Sequence, residues 1–288
     1  MAKIFVVKNS GFCFGVKRAI RMAFYAVKNN QRKVFTLGPL IHNPQVVEDL
    51  EKKGVNVVED LKEIDRGCLI IRSHGVHPRI LESAKKRRLK IIDATCPFVK
   101  KAQNNARLLF DQGYQVIVVG EANHPEVKSI VGYAKDKALV LNNTKNHLNL
   151  KRFKKIGVIA QTTLNFDLFK QAIDKLVEST KEIKIYNTMC NATSLMQEKT
   201  AKLAGKVDLM IVVGGHNSAN TTRLAKLCRG IGTKTYHVET SRGLKRSWFK
   251  DVKRIGITAG TSTPPWIIQG VVKKIKSLEK IYTPQSSG

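Results

Sequence analysis

Short β-rich apolar runs recur along the chain, each closed by a glycine-rich or polar corner and followed by a segment with apolar residues at helical spacing. After Cys13, for example, Val16, Ala19, Ile20, Ala23, Phe24 and Val27 fall on one helical face. "KVFTLGPLIHNPQVVEDL" and "CLIIRSHGVHPRILESAKKRR" repeat the plan, and Pro44 suits a first helical turn. Six further units continue to "RIGITAGTSTPPWIIQGVVKKI". Alternating strands and helices predict parallel α/β sheets with right-handed crossovers.

The nine units sort into three sets of three. Each set opens on a cysteine corner, at Cys13, Cys96 or Cys190. The second corner carries His42, His124 or Ser218, which follow those cysteines by 29, 28 and 28 residues. The third carries His74, Thr162 or Ser262. Between second and third corners lies an extra β-rich run: "VNVVE", "ALVLN" or "TKTYHVE". The chain therefore reads as an internal triplication of a unit with four strands and three helices. Ligands of parallel sheets gather at the carboxyl ends of the strands, where these corners lie. Three such units around a pseudo-threefold axis would carry three cysteines to one centre.

Composition narrows the class. The chain of 288 residues is 42% hydrophobic, as a folded globular protein should be. No apolar run reaches the length of a membrane span, and "MAKIFVVKNSG" is too short in apolar residues for a signal peptide. A cytoplasmic protein is expected. Its 51 Lys+Arg against 22 Asp+Glu give a formal charge of +29, which would suit an acidic partner. The lysines are scattered, however, and no zinc-finger spacing, helix-turn-helix or aromatic RNA-binding motif stands out.

The five cysteines, at 13, 68, 96, 190 and 228, are odd in number, widely spaced and without C-x-x-C, which argues against a disulfide framework. Cys13, Cys96 and Cys190 sit where helices should start, and such positions favour thiolates. Converging, they could hold zinc or an iron–sulfur cluster. Phe12, Phe14 and Phe98 would form an apolar shell around it. Cys68 and Cys228 read as ordinary buried thiols. His42, His74, His124, Thr162, Ser218, Asn220 and Ser262, with backbone N–H groups at helix starts, would form an anion pocket suited to phosphate or diphosphate. Each could equally be a helix cap. Glu126 is the natural proton carrier among these donors, or a complement to its helix dipole. His77, His147, His216 and His237 match no corner and read as surface residues.

"GFCFGVKRAI", "GPLIHNPQVVEDL", "SHGV", "DATCP", "GEANHPEV", "QTTL", "CNAT", "NSAN" and "TAGTSTP" follow one another from about Gly11 to Pro264. In that order they resemble the 4-hydroxy-3-methylbut-2-enyl diphosphate reductases, the IspH/LytB family of the non-mevalonate isoprenoid pathway. The resemblance implies an α/β trefoil: three similar α/β domains, with mostly parallel four-stranded sheets, around a central Fe–S cluster. The corresponding domains are residues 1–95, 96–189 and 190–288, the last with a C-terminal tail, and residues 1–12 are candidates to pack with the third.

By the same resemblance, Cys13, Cys96 and Cys190 match the ligands of one [4Fe–4S] cluster with an open iron. His42, His74, His124, Ser218, Asn220 and Ser262 match diphosphate-binding positions. Thr162 matches the threonine that bonds the substrate hydroxyl, and Glu126 the glutamate of the proton relay, with His124 a further proton source. The implied reaction is reductive dehydroxylation to isopentenyl and dimethylallyl diphosphate, with electrons from ferredoxin or flavodoxin. A monomer with no membrane or nucleic-acid partner is expected. Two places depart from the pattern: Ala219 stands where many members have a second serine, and Ser194 and Met196 replace a glutamine and an arginine. A basic nucleic-acid-binding protein with a structural metal site is the alternative that the charge suggests.

Overall fold

The structure, a computed structural model, describes residues 2–29, 32–142, 153–178 and 180–280; His147 lies outside them. The chain runs through β1 (Lys3–Val6), α1 (Phe14–Asn29), β2 (Val34–Leu37), α2 (Pro44–Lys52), β3 (Val55–Val58), β4 (Cys68–Ile71), α3 (Pro78–Lys86) and β5 (Lys90–Asp93). It continues through α4 (Pro97–Asp111), β6 (Gln115–Val119), α5 (Pro125–Tyr133), β7 (Leu139–Leu141), β8 (Lys155–Ala160), α6 (Phe166–Val177) and β9 (Glu182–Tyr186). It closes with α7 (Asn191–Ala204), β10 (Leu209–Val213), α8 (Ala219–Gly230), β11 (Lys234–Val238), β12 (Arg254–Ala259) and α9 (Pro265–Lys280). Five of the eight prolines open a helix, at 44, 78, 97, 125 and 265, where a missing N–H and a fixed φ do no harm.

The strands form three four-stranded parallel sheets, ordered β3-β2-β4-β5, β7-β6-β8-β9 and β11-β10-β12-β1. The extra run of each set is one edge strand. The other edge strand is in every case the one that leads into a cysteine corner, and it belongs to the sheet of the preceding set. Thus β5, before Cys96, pairs with β4, and β9, before Cys190, pairs with β8. β1, before Cys13, pairs with β12 near the other end of the chain.

Contacts separate the chain into two compact units. One comprises Met1–Phe14, His42–Val46 and Ala192–Gly288 and contains the sheet of β1, β10, β11 and β12. The other comprises Gly15–Ile41 and Val47–Asn191 and contains the remaining two sheets.

The central strands are buried on both faces, which explains their unbroken apolar sequences. On β6, Ile117 and Val119 pack toward Phe169, Ala172 and Leu176 of α6. Val116 and Val118 pack toward Ala102, Ala106 and Leu109 of α4 and Val127 and Ile130 of α5. In the other unit Leu209, Ile211 and Val213 meet Ile268, Val271 and Ile275 of α9, while Met210 and Val212 meet Leu224, Ala225 and Cys228 of α8. Each large aliphatic side chain fully removed from water contributes about 1.5–3 kcal/mol. These double-faced cores hold the strand ends, and so the corners, in fixed register. Among the described residues no helix is long and apolar enough to cross a membrane.

Candidate functional site

All nine corners lie at carboxyl ends of strands. One hydrogen bond recurs at the three cysteines and ties each to the third corner of its own sheet. Cys96 N–H donates to Ser73 O at 3.0 Å, Cys190 N–H to Thr162 O at 2.8 Å, and Cys13 N–H to Thr261 O at 3.1 Å. A second bond recurs at the second corners, where Gly38, Gly120 and Gly214 donate to Val58 O, Leu141 O and Val238 O. The triplication is therefore written in the backbone bonds as well as in the motifs.

The approach to each cysteine is shaped locally. Asp93 and Asn187, each three residues before a cysteine, accept the N–H two residues on, at Thr95 (3.0 Å) and Met189 (3.1 Å). The Cys13 corner differs. Asn9 and Gly11 take φ of 68° and 97°, and a Cβ on Gly11 would stand 2.8 Å from Thr263 O. Glycine is required there both for the turn and for the close approach.

None of the five cysteines is in a disulfide. They fall into two kinds. Cys68 and Cys228 are sealed in the core at 0% exposure; burial pushes the Cys68 thiol up and that of Cys228 up to about 12. Cys13, Cys96 and Cys190 are half-buried and directly precede α1, α4 and α7. Thiols at the positive ends of helices fit the donor set of an iron–sulfur or zinc site. Among the described residues no three His, Cys, Asp or Glu side chains form a ready metal-holding group. Of the expected apolar shell, Phe12 packs edge-on to Trp266 at 6.0 Å, while Phe14 is 67% exposed.

The polar corners do come together in pairs. Glu126, 2% exposed in the first turn of α5, accepts Thr162 N–H at 2.6 Å with one carboxylate oxygen and the Thr162 hydroxyl at 2.9 Å with the other. His124 caps α5, its Nδ1 accepting Glu126 N–H at 3.2 Å, so in the neutral ring Nε2 carries the proton and points its donor elsewhere. The His74 and His124 rings meet edge to face at 5.7 Å. In the other unit, Ser262 Oγ donates to His42 O at 3.0 Å, and Ser218 caps α8 through Thr221 N–H. Asn220 is 4% exposed, and among the described residues neither atom of its amide finds a hydrogen-bond partner. A buried amide left in this condition is costly unless a ligand satisfies it.

Sequence reasoning missed the residues behind these corners. Gln103 Nε2 donates to Ser129 Oγ at 2.9 Å, and Ser129 Oγ donates to His74 O at 3.3 Å, so two buried helix residues brace the His74 corner. Gly75, at φ 71°, leaves the room: a Cβ there would lie 2.3 Å from Gln103 Nε2. Gln161 Oε1 accepts Glu121 N–H at 3.0 Å, and Thr188 bonds both the N–H and the carbonyl of Ala160. Nothing in spacing distinguishes these from solvated helix or strand-end residues.

Of the described histidines read as surface residues, His216 is exposed, while His77 and His237 are partly buried and hold structural bonds. His77 caps α3 and pairs with Asp136 at 2.7 Å. His216 and His237 stack at 4.2 Å, with His237 Nε2 2.8 Å from Gly214 O. Burial holds the His237 imidazole below its usual value.

One unit thus carries the helix-start thiols Cys96 and Cys190 with the buried Glu126–Thr162 pair and the His74 and His124 rings, and the other carries Cys13 with Ser218, Asn220 and the Ser262–His42 bond. The family model described as LytB protein matches residues 4–276, and the chain belongs to that family. It is 47% identical over 281 residues to the 4-hydroxy-3-methylbut-2-enyl diphosphate reductase of Geobacter metallireducens, covering 98% of this chain and 99% of that protein. It is 49% identical over 280 residues to the enzyme of that name from Trichlorobacter lovleyi, covering 97% and 100%. Two solved structures are also similar. One, of (E)-4-hydroxy-3-methyl-but-2-enyl diphosphate reductase, described as the terminal enzyme of the non-mevalonate pathway, superposes with TM-score 0.72 at 44% identity, over 96% of this chain and 100% of that one. The other, the E-1-hydroxy-2-methyl-but-2-enyl-4-diphosphate reductase from Plasmodium falciparum, gives TM-score 0.89 at 30% identity, over 99% and 89%.

Proposed function

We propose that the chain is a cytoplasmic, monomeric reductase that removes the allylic hydroxyl of 4-hydroxy-3-methylbut-2-enyl diphosphate as water and yields isopentenyl and dimethylallyl diphosphate. The observation that carries this reading is the buried, doubly bonded Glu126–Thr162 pair at a strand end, placed to pass a proton. Near-full-length identity to reductases of that name supports the substrate.

Cys13, Cys96 and Cys190 would hold a [4Fe–4S] cluster. When bound, such a cluster supplies electrons singly and a Lewis-acidic iron open to the substrate oxygen. The rest is the work of side chains. His42, His74, His124, Ser218, Asn220 and Ser262 hold the diphosphate, and Asn220 is the donor most in need of that partner. These contacts persist unchanged through the reaction, so they set KM.

The Thr162 hydroxyl donates a hydrogen bond to Glu126, which leaves the Thr162 oxygen to accept a bond from the substrate hydroxyl. With Glu126 protonated the chain of bonds reverses. The carboxylic acid donates to Thr162, Thr162 donates to the departing oxygen, and water leaves. Two electrons, from ferredoxin or flavodoxin, and a second proton, from His124 or the substrate's own diphosphate, complete the balance at carbon.

The test is anaerobic purification with iron and sulfide analysis, followed by turnover of the allylic diphosphate with a chemical reductant. A brown protein with about four irons per chain and product formation slowed about 10²-fold or more by Glu126→Gln is the expected result. A colourless, inactive protein that binds nucleic acid in a salt-dependent way would overturn it in favour of the binding-protein alternative.

A further inference from the structure

We propose that the face of α4 beside Cys96, built on Arg18, Lys100 and Lys101, is the docking surface for an acidic one-electron carrier protein. This rests on the reductase reading, because that reaction consumes two electrons and two protons for each hydroxyl lost as water, and each carrier molecule is oxidised by one electron. A carrier must come close to one of the thiolates, since tunnelling falls off steeply with distance.

Two of the three cations are attached to the Cys96 corner by hydrogen bonds, and the third is the next residue along α4. The Arg18 guanidinium, from α1, donates to Thr95 O at 3.1 Å and Asp93 O at 3.3 Å, the carbonyls that lead into Cys96. Lys100 lies one turn into α4, its N–H donating to Cys96 O at 2.9 Å and its side chain paired with Asp93. Lys101 is exposed and, among the described residues, makes no ion pair. These residues, with Thr95 and Asn104, line a depression of about 460 Å³ in which three cations face one carboxylate. Burial alone would raise the Asp93 carboxyl, but bonds from Lys100 and Thr95 hold it below the usual range, so the cations are balanced by a single charge.

The character of the depression favours a protein over other anions. Arg18 and Lys100 already spend donors on the corner, which leaves a small phosphate without an enclosing set. No aromatic ring lines the depression to stack a nucleic-acid base. What remains is an outward-facing positive field next to a half-buried thiol, the arrangement that steers and orients an acidic protein. The +29 of the whole chain raises the encounter rate, while this face fixes where the encounter ends.

The experiment is fluorescence anisotropy of a labelled acidic ferredoxin or flavodoxin titrated with the intact enzyme, across ionic strength. Lys101→Glu should weaken binding about tenfold at low salt and Lys101→Gln by less, with all curves converging as salt screens the field. Lys62→Glu, an equal charge change at a different surface depression, should leave binding near wild type. Turnover driven by reduced carrier should fall with binding, while turnover driven by a small chemical reductant should not change in Lys101→Glu. Equal carrier binding by wild type and Lys101→Glu would overturn the docking surface and leave the reductase intact. So would equal weakening by Lys62→Glu, or a Lys101→Glu effect confined to binding of a DNA oligonucleotide. Absence of chemically driven turnover in wild type would instead overturn the reductase reading, an outcome distinct from all of these.

Discussion

Glu126 binds Thr162 twice, through the amide N–H at 2.6 Å and the hydroxyl at 2.9 Å, although 36 residues separate them. Both are almost wholly buried, and the carboxylate bridges the ends of two neighbouring elements of one sheet, α5 after β6 and the loop after β8. Glu126→Gln keeps the shape but cannot pass a proton. It should lower kcat by about 10² or more with little change in KM, since general acid catalysis is worth roughly that factor. A rise in KM with kcat preserved, in steady-state kinetics, would reduce the pair to a substrate clamp.

Asn220 separates binding from folding. Its amide is buried without partners, so Asn220→Leu should leave the thermal midpoint of the ligand-free enzyme unchanged or raise it. The same change should raise KM about tenfold, as the loss of one good hydrogen bond to a charged group implies. Differential scanning calorimetry beside kinetics reads both; a large loss of stability would mean that the amide serves the fold.

The Gln103–Ser129 brace predicts a graded effect on His74. Ser129→Ala leaves Gln103 unsatisfied and should cost about 1–3 kcal/mol of stability while raising KM several-fold. Gly75→Ala should be worse, because the left-handed turn and the contact with Gln103 are both violated. Urea unfolding and substrate titration distinguish them: equal loss of stability without a KM effect would detach the brace from substrate binding.

The two kinds of cysteine differ in reach. Brief alkylation of iron-depleted, folded protein should label Cys13, Cys96 and Cys190 and spare Cys68 and Cys228, which are fully buried, with thiols held above their normal pKa. Peptide mapping by mass spectrometry checks it. Fast labelling of Cys228 would mean that the core around α8 opens readily.

His237 contributes a pH dependence of stability. Burial lowers its pKa from the ordinary 6.5, so below that value the unfolded chain takes up a proton that the folded chain resists. Stability from this group is complete above about 6.5 and is lost as pH falls through the folded value. His237→Gln should flatten that part of the stability–pH curve measured by denaturant unfolding, and an unchanged slope would assign the acid loss to other groups.

Much of the candidate site was legible because its chemistry is local. A cysteine, histidine or serine between a strand and a helix declares its position by the β-rich run before it and the helical period after it. Gln103, Ser129 and Arg18 were not legible, because a polar residue inside a helix looks the same whether it faces water or braces another corner. Nor was the structural use of His77, which depends on Asp136, 59 residues away.

The amino-acid pattern by itself determined the threefold repeat, the alternation of strand and helix, and which residues stand at the corners, since all of these follow from periodicity and from the backbone needs of turns. Tertiary structure decided the pairing. Each cysteine strand hydrogen-bonds to the preceding sheet, and β1 to β12 across almost the whole chain. Parallel strands gain their bonds only from distant partners, so no local sequence signal states which sheet a strand will join.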